Sequence, residues 1–292
     1  MGRIEYREEK FAYGMLSPML LFVIVFIIIP VLGTLWISLH QDVTFIPTHP
    51  FVGLRNYITI LRQGGFWSAL FVTVSFSIVS VTLETLLGLT FALILNEEIR
   101  GRGILRAIVL IPWAVPTIIS AKTWQLMYNY SYGLFNWALG HLGLGAVNWF
   151  GTPLSAFFAI VLADVWKTTP FMTLLLLAGL QAIPSDTYEA AIIDGASMFQ
   201  RFLHITLPLL KPVLIVAVTL RTIDALRVFG IIYVLTGGGP GGATTSISLL
   251  AFNYYNLGDY GMGSAISILT FLTVLGFTVV YLKIGRFQEG LK

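Results

Sequence analysis

Cysteine is absent from this sequence of 292 residues, and charged side chains are scarce, at 11%. Without cysteine, the chain has no disulfide, no cysteine-ligated zinc and no cysteine nucleophile. Soluble domains carry about 25% charged residues, and a soluble protein that is 57% hydrophobic would expose large, aggregating patches. The net charge of +3 comes with no basic stripe, which argues against nucleic-acid binding. The composition therefore excludes a lone soluble globule.

Signatures of ATP and metal chemistry are also missing. A phosphate-binding loop requires glycines before a Lys-Ser/Thr pair, and the pairs Lys122-Thr123 and Lys167-Thr168 lack them. We therefore expect no ATPase, no enzymatic activity and no cofactor in this chain. Its four histidines are too scattered to predict a metal site: His40, His49, His141 and His204.

Long apolar runs dominate what is present. A helix that crosses the hydrocarbon core needs roughly 20 apolar residues, and six segments qualify. They are 13–39, 66–95, 103–127, 154–180, 209–235 and 262–284. The sequence thus predicts an all-α polytopic membrane protein with a single transmembrane domain over 1–292.

Lys and Arg predict the orientation, because basic residues accumulate on the cytoplasmic side. Eleven fall in the two tails and in the loops after the second and fourth segments, against two, Arg55 and Arg62, in the alternate loops. We therefore expect both termini in the cytoplasm, with 131–151 and 237–260 outside.

The loop at 183–212 is predicted to form a short helix–turn–helix on the cytoplasmic side. Asp186 and Glu189 have the spacing of a capping box, and Gly195 is suited to a positive φ that ends the first helix. A second short helix is expected over about 198–206. From the residues alone, an ordinary connecting loop remains the alternative.

This loop resembles the EAA motif of ABC-importer permeases. The matching residues are Glu189, Ala190, Ala191, Asp194, Gly195, Ala196, Leu207 and Pro208. Further similarity lies at 111–112, 166–171, 233–240 and 261–266. Together these segments resemble the permeases of binding-protein-dependent carbohydrate importers of the maltose F type, in particular the A permease of trehalose importers.

The resemblance implies the compact six-helix type I importer fold and a set of partners. These are a second permease, two cytoplasmic ATPases that hold ATP and Mg²⁺, and an extracytoplasmic sugar-binding protein. It also implies that the EAA residues dock on the ATPase, with Glu189 and its helix in a groove. The expected location is the plasma (inner) membrane of a prokaryote.

Charges within the apolar segments are costly and mark function. Asp164 and Lys167 stand three residues apart and are expected to pair, while Arg221, Asp224 and Arg227 form a slowly drifting stripe. With the aromatic rings of Trp166 and Phe171, they have the chemistry to bind a polyol. The alternative is salt bridging between the fourth and fifth segments, and the two are compatible. The resemblance to the maltose permease adds Thr168 and Ala225 as substrate contacts.

Glu84 stands alone in the second segment, and a helix-bridging role is favoured over ligand binding. We conclude from the sequence that the chain is the permease of a sugar ABC importer, with trehalose, maltose or a related disaccharide as substrate. The alternatives are a glycerol-phosphate ABC permease, since Lys167, Arg221 and Arg227 suit an anion, and an ion-coupled secondary transporter.

Overall fold

The computed structural model describes residues 2–97 and 100–289, and the side chains of these residues except 2–10, 12, 282 and 284–289. The described part is almost wholly helical, with two isolated β-bridges and no strand. The all-α prediction is confirmed. Basic side chains of the tails that entered the orientation prediction lie outside the described set: Arg3, Arg7, Lys10, Arg286 and Lys292.

Helices occupy most of the described chain. The α-helices are Gly2–Val23, Ile29–Ser38, Arg55–Arg62, Gly64–Asn96, Arg102–Ala114, Thr117–Met127, Leu134–His141, Pro153–Gln181, Ser185–Ile193, Met198–Arg201, Leu207–Ala225, Gly230–Leu235, Ile247–Asn256 and Tyr260–Glu289, and the π-helical turns are Ile24–Ile28 and Phe202–Thr206.

Five of these stretches are long and apolar enough to span a membrane. They are Tyr13–Ser38, Gly64–Asn96, Pro153–Gln181, Met198–Ala225 and Tyr260–Tyr281, here the first, second, fourth, fifth and sixth spans. The third span is a pair of helices, Arg102–Ala114 and Thr117–Met127, bent by 91°. With this pair taken as one span, the described residues contain the six that the sequence predicts.

Two of the predicted spans are corrected. The third is not straight, because Pro116 has no N–H to donate and Val115 is extended, so the helix stops at Ala114. The fifth begins at Met198 and ends at Ala225, not at 209 and 235. Hydropathy missed this end because Arg227 is the one charged residue of the break, which is otherwise apolar, as is the short helix Gly230–Leu235 that follows.

The chain divides into two compact units, and the single domain remains a prediction. The first unit comprises Met1–Gln63 and Leu250–Phe271. Within it, the buried Asn56 amide donates 2.9 Å hydrogen bonds to the carbonyls of Ser38 and His40. Asn56 thus stabilises the turn that follows the first span.

The second unit comprises Gly64–Leu249 and Leu272–Lys292, and its centre is the second, fourth and fifth spans. A Cβ on Gly88 would lie 2.7 Å from the Cβ of Met172, so glycine is what lets the second and fourth spans approach closely. Small and aliphatic side chains fill the core between the three spans: Ala92, Leu95, Met172, Leu176, Leu177, Leu180, Leu210 and Ala217.

Candidate functional site

A buried ionic cluster joins the second, fourth and fifth spans. Arg221 donates through Nε and Nη2 to the two carboxylate oxygens of Glu84, with 2.9 Å between Nη2 and Oε1. Nη2 also donates to Oδ2 of Asp164, and Thr168 Oγ1 donates to Glu84 Oε1 over 2.6 Å. We call these four residues the buried cluster. It confirms the helix-bridging interpretation of Glu84, and the bridge between the fourth and fifth spans is also present.

Burial makes this cluster expensive to disrupt. Glu84 is fully enclosed, and Asp164 and Arg221 are nearly so. An ion removed from water must recover its lost hydration through its partners, and here one guanidinium serves two carboxylates.

Lys167 does not pair with Asp164, so that prediction is wrong. Its Nζ instead donates to the carbonyl of Val115 over 2.6 Å and lies 3.5 Å from that of Trp113. These carbonyls end the first half of the third span, where the helix offers them no N–H. A cation at a helix C-terminus is also favoured by the helix dipole. Lys167 therefore caps the bend of the third span, the segment 113–117 that we call the elbow.

An aromatic contact holds the same elbow. The rings of Trp113 and Phe171 stack with centroids 6.1 Å apart and an angle of 25° between their planes. Phe171 lies one helical turn beyond Lys167 on the fourth span, so the two side chains contact the elbow from one face. Half of Trp113 remains exposed. Sequence reasoning missed this residue, and its position before Pro116 was the available signal.

The fifth span has a break of its own after Ala225. Ser246 Oγ donates to the carbonyl of Val228 over 2.8 Å within this break. The helix after it, Gly230–Leu235, packs against Thr117–Met127, and Gln125 Nε2 donates to the carbonyl of Val234 over 2.9 Å. The helices that follow the two breaks thus lie together. Transporters commonly build substrate sites from interrupted helices of this kind.

Other predicted substrate residues lie on the surface. Arg227 Nη2 contacts Asp224 Oδ1 at 2.8 Å, with more than half of each side chain exposed. Trp166 is 42% exposed and meets the buried Trp124 edge to face at 5.7 Å. Ala225 is buried. The predicted set therefore divides into an interior group, the half-buried Phe171 at the elbow and an exposed group. The interior group is Asp164, Lys167, Thr168, Arg221 and Ala225, and the exposed group is Trp166, Asp224 and Arg227.

A groove elsewhere on the described part of the chain is separate from these residues. A groove of about 310 Å³ lies among the second and fifth spans, Phe277 and Tyr281. Its lining is apolar apart from hydroxyl groups and contains none of the predicted substrate residues. The exposed group, in contrast, faces outward from the protomer.

The predicted coupling loop forms a helical hairpin. Gly195 has a φ of +78° between Ser185–Ile193 and Met198, as predicted. Asp186 is not the N-cap, because the helix begins at Ser185 after Pro184; its carboxylate lies in the first turn, where it favours the dipole. Ser197 and Gln200 form a capping box that starts the second helix.

This second helix continues without a break into the fifth span, so the separate helix predicted at 198–206 is corrected. Tyr188 OH and Thr206 Oγ1 lie 3.0 Å apart and join the two arms of the hairpin. Glu189, Ala190, Asp194, Gly195 and Pro208 are exposed, whereas Ala191, Ala196 and Leu207 are half-buried. Large apolar side chains are exposed beside them: Ile192, Ile193, Met198 and Phe199.

Comparison with known proteins identifies the family to which this architecture belongs. The family described as "Binding-protein-dependent transport system inner membrane component" matches residues 84–289. The chain belongs to this family. It is thus a multi-pass inner-membrane permease subunit of an ABC importer, and the matched range runs from Glu84 through the hairpin to the end of the last helix.

Individual relatives cover nearly the whole chain. The trehalose/maltose transport system permease protein MalF of Thermococcus litoralis is 78% identical over 288 residues, which are 99% of this chain and 98% of that protein. The trehalose transport system permease protein SugA of Mycobacterium tuberculosis is 38% identical over 283 residues, 95% of this chain and 89% of that protein.

A solved structure supports the fold. The crystal structure of a bacterial ABC transporter involved in the import of the acidic polysaccharide alginate contains a chain that superimposes with a TM-score of 0.83. The match covers 97% of both chains at 24% sequence identity. The predicted importer-permease fold is confirmed.

Proposed function

We propose that this chain is the permease through which an ATP-driven importer carries trehalose, maltose or a related disaccharide, delivered by a binding protein. The observation that carries the proposal is the 78% identity, over almost the full length, to a permease named for trehalose and maltose transport. The 38% identity to a trehalose permease supports the same substrate class.

The exposed group is the proposed sugar-contacting surface. A disaccharide offers hydroxyl groups to charged side chains and ring faces to aromatic ones, and Asp224, Arg227 and Trp166 supply both. They face out of the protomer, where a second permease would complete the cavity. The interior residues of the predicted set lie beneath this surface and hold the spans in place: Asp164, Lys167, Thr168, Arg221 and Ala225. Phe171 supports the elbow.

Energy enters through the hairpin in this proposal. Two cytoplasmic ATPases bind ATP and Mg²⁺, and this chain holds no cofactor. The exposed Ile192, Ile193, Met198 and Phe199 form an apolar patch beside Glu189, and such patches mark protein contacts. Both termini are then cytoplasmic, as the Lys and Arg distribution predicts, and ATP binding moves the hairpins so that access alternates between the two sides.

An anionic substrate is disfavoured, because the three side chains that could bind one already have partners. Arg221 is engaged by Glu84 and Asp164, and Arg227 by Asp224. Lys167 is engaged by backbone carbonyls. A glycerol phosphate would have to break the enclosed contacts of Arg221 and Lys167, and beside the exposed Arg227 the carboxylate of Asp224 would repel it.

Uptake by the assembled transporter in proteoliposomes tests the proposal. Labelled trehalose or maltose should accumulate only with internal ATP and external binding protein, and an uncoupler should leave uptake unchanged. Glycerol phosphate serves as the competing substrate. Uptake that is driven by an ion gradient, or competition by glycerol phosphate but not by either disaccharide, would overturn it.

A further inference from the structure

The segment 128–152, between the third and fourth spans, contains no Asp, Glu, Lys or Arg. It is nevertheless folded around its own aromatic core. Tyr128, Phe135 and Trp149 pack together, with ring centroids 5.0 to 5.7 Å apart. We call this segment the uncharged loop.

A buried asparagine holds the uncharged loop in shape. Asn136 Nδ2 donates to the carbonyls of Tyr130 and Val147, both over 3.0 Å. Its Oδ1 accepts from the backbone N–H of Val147 and from Trp149 Nε1, both over 3.1 Å. These hydrogen bonds fix the backbone of the loop, and they therefore fix the positions from which its side chains point outward.

The large outward side chains are aliphatic or aromatic, and they lie beside the exposed polar residues Ser131, His141 and Asn148. In the helix Leu134–His141, Phe135 and Asn136 face inward, while Leu134 and Trp137 face outward with 53% and 61% of their surface exposed. A helix that faced water would place polar side chains at the positions of Leu134 and Trp137. The exposed surface is extended by further large side chains: Tyr130, Tyr132, Leu142 and Leu144.

The position of the uncharged loop identifies what covers it. It begins one residue after Met127 and ends directly before Pro153, so both of its ends leave membrane-spanning helices. The chain therefore enters and leaves the loop through segments long and apolar enough to lie in the bilayer. Trp and Tyr favour the headgroup level, and helices with an apolar face lie in that layer.

A protein partner is less suited to this surface. Protein interfaces have polar rims, and charge complementarity selects the partner. The uncharged loop has no Asp, Glu, Lys or Arg with which to do so. We propose that Leu134, Trp137, Leu142 and Leu144 insert into the headgroup layer of the bilayer and anchor the ends of the third and fourth spans to the lipid.

The absence of native cysteine allows a direct test. Trp137→Cys carries an environment-sensitive fluorophore in the assembled transporter, reconstituted in lipid nanodiscs. Thr48→Cys is the control, an exposed polar position in a loop predicted to lie on the same side. Leu142→Cys, 74% exposed, gives a second report from a site without a packing role.

The expected result is a blue-shifted emission at 137 and 142, quenched more by lipids with a shallow doxyl group than by aqueous iodide. The control should show the reverse order. Iodide quenching at 137 and 142 equal to that at 48 would overturn the proposal. So would shielding that develops only when binding protein is added, since the loop would then be a protein-docking surface.

Discussion

The end of the fifth span carries two ionic contacts, one made by Arg221 and one between Asp224 and Arg227, and they differ in almost everything but their chemistry. Arg221 is enclosed with Glu84 and Asp164, whereas Arg227 and Asp224 are mostly exposed. An enclosed pair holds its helices in one arrangement because no water can replace a lost partner. An exposed pair contributes little to stability and remains available to a ligand. The difference separates the groups that build the permease from those that suit a substrate.

The largest effect is expected inside the cluster. Arg221→Met leaves two buried carboxylates without a cation, and breaking such a pair costs about 3–5 kcal/mol. We expect little assembled complex to survive detergent extraction, and a lower thermal midpoint for what does. Adding Glu84→Gln and Asp164→Asn should recover much of the loss, because no uncompensated charge remains. A triple variant no more stable than the single one would contradict this account.

A smaller loss is expected at the elbow. Lys167→Met removes the donor to the Val115 carbonyl, and a buried polar group left unsatisfied costs about 1–3 kcal/mol. Lys122→Met is the matched control, because Lys122 is exposed and its Nζ donates to the side chain of Gln125 and not to a buried carbonyl. Thermal midpoints of the two complexes give the comparison. Equal midpoints would mean that Lys167 does not stabilise the bend.

At the hairpin, the expected effect is on coupling more than on stability. Gly195→Ala forces an L-residue into the left-handed region at a cost of roughly 1–2 kcal/mol. We expect ATP hydrolysis stimulated by substrate-loaded binding protein to fall in the reconstituted complex. Gly103→Ala, in a helix with no atom within 4 Å of the added Cβ, should leave it unchanged. Equal stimulation of ATP hydrolysis in both variants would mean that coupling does not require Gly195.

The smallest effect on stability is expected at the exposed pair. Asp224→Asn keeps the shape of the side chain and removes its charge, and surface pairs contribute only about 0–1 kcal/mol. Assembly should therefore be normal while disaccharide uptake per assembled complex falls. Native uptake by this variant would place Asp224 outside the sugar path. The exposed pair would then have no role in substrate binding.

The number and order of the spans were predictable because apolar length is a strong signal, and the positive φ of Gly195 followed from its place between two helices. The division of the charged stripe did not follow from spacing alone. Six residues turn a helix by about 600°, so Arg227 lies roughly a third of a turn away from Arg221. The helix also ends at Ala225. Glu84 lies 137 positions before Arg221 in sequence, and no local pattern connects them.

The bend at the elbow could not be predicted from the sequence for a related reason. Pro116 marks a break, but the angle of 91° depends on what receives the freed carbonyls. The donor, Lys167, is on another span and 52 residues further along the chain. Apolar patterning records which residues avoid water, and it carries no information on which distant side chain satisfies a backbone carbonyl.

The continuity of the hairpin with the fifth span gives the molecule a lever. Helical structure is uninterrupted over the 28 residues from Met198 to Ala225, a length of about 42 Å at 1.5 Å per residue. A tilt of about 1° at the hairpin would then displace the far end by about 0.7 Å for a rod of this length. The bond between Tyr188 and Thr206 adds the first arm of the hairpin to this rod. A tilt of a few degrees, produced at the hairpin outside the membrane, would thus displace the helical turn that carries Asp224. The displacement at that turn is larger because the helix is long.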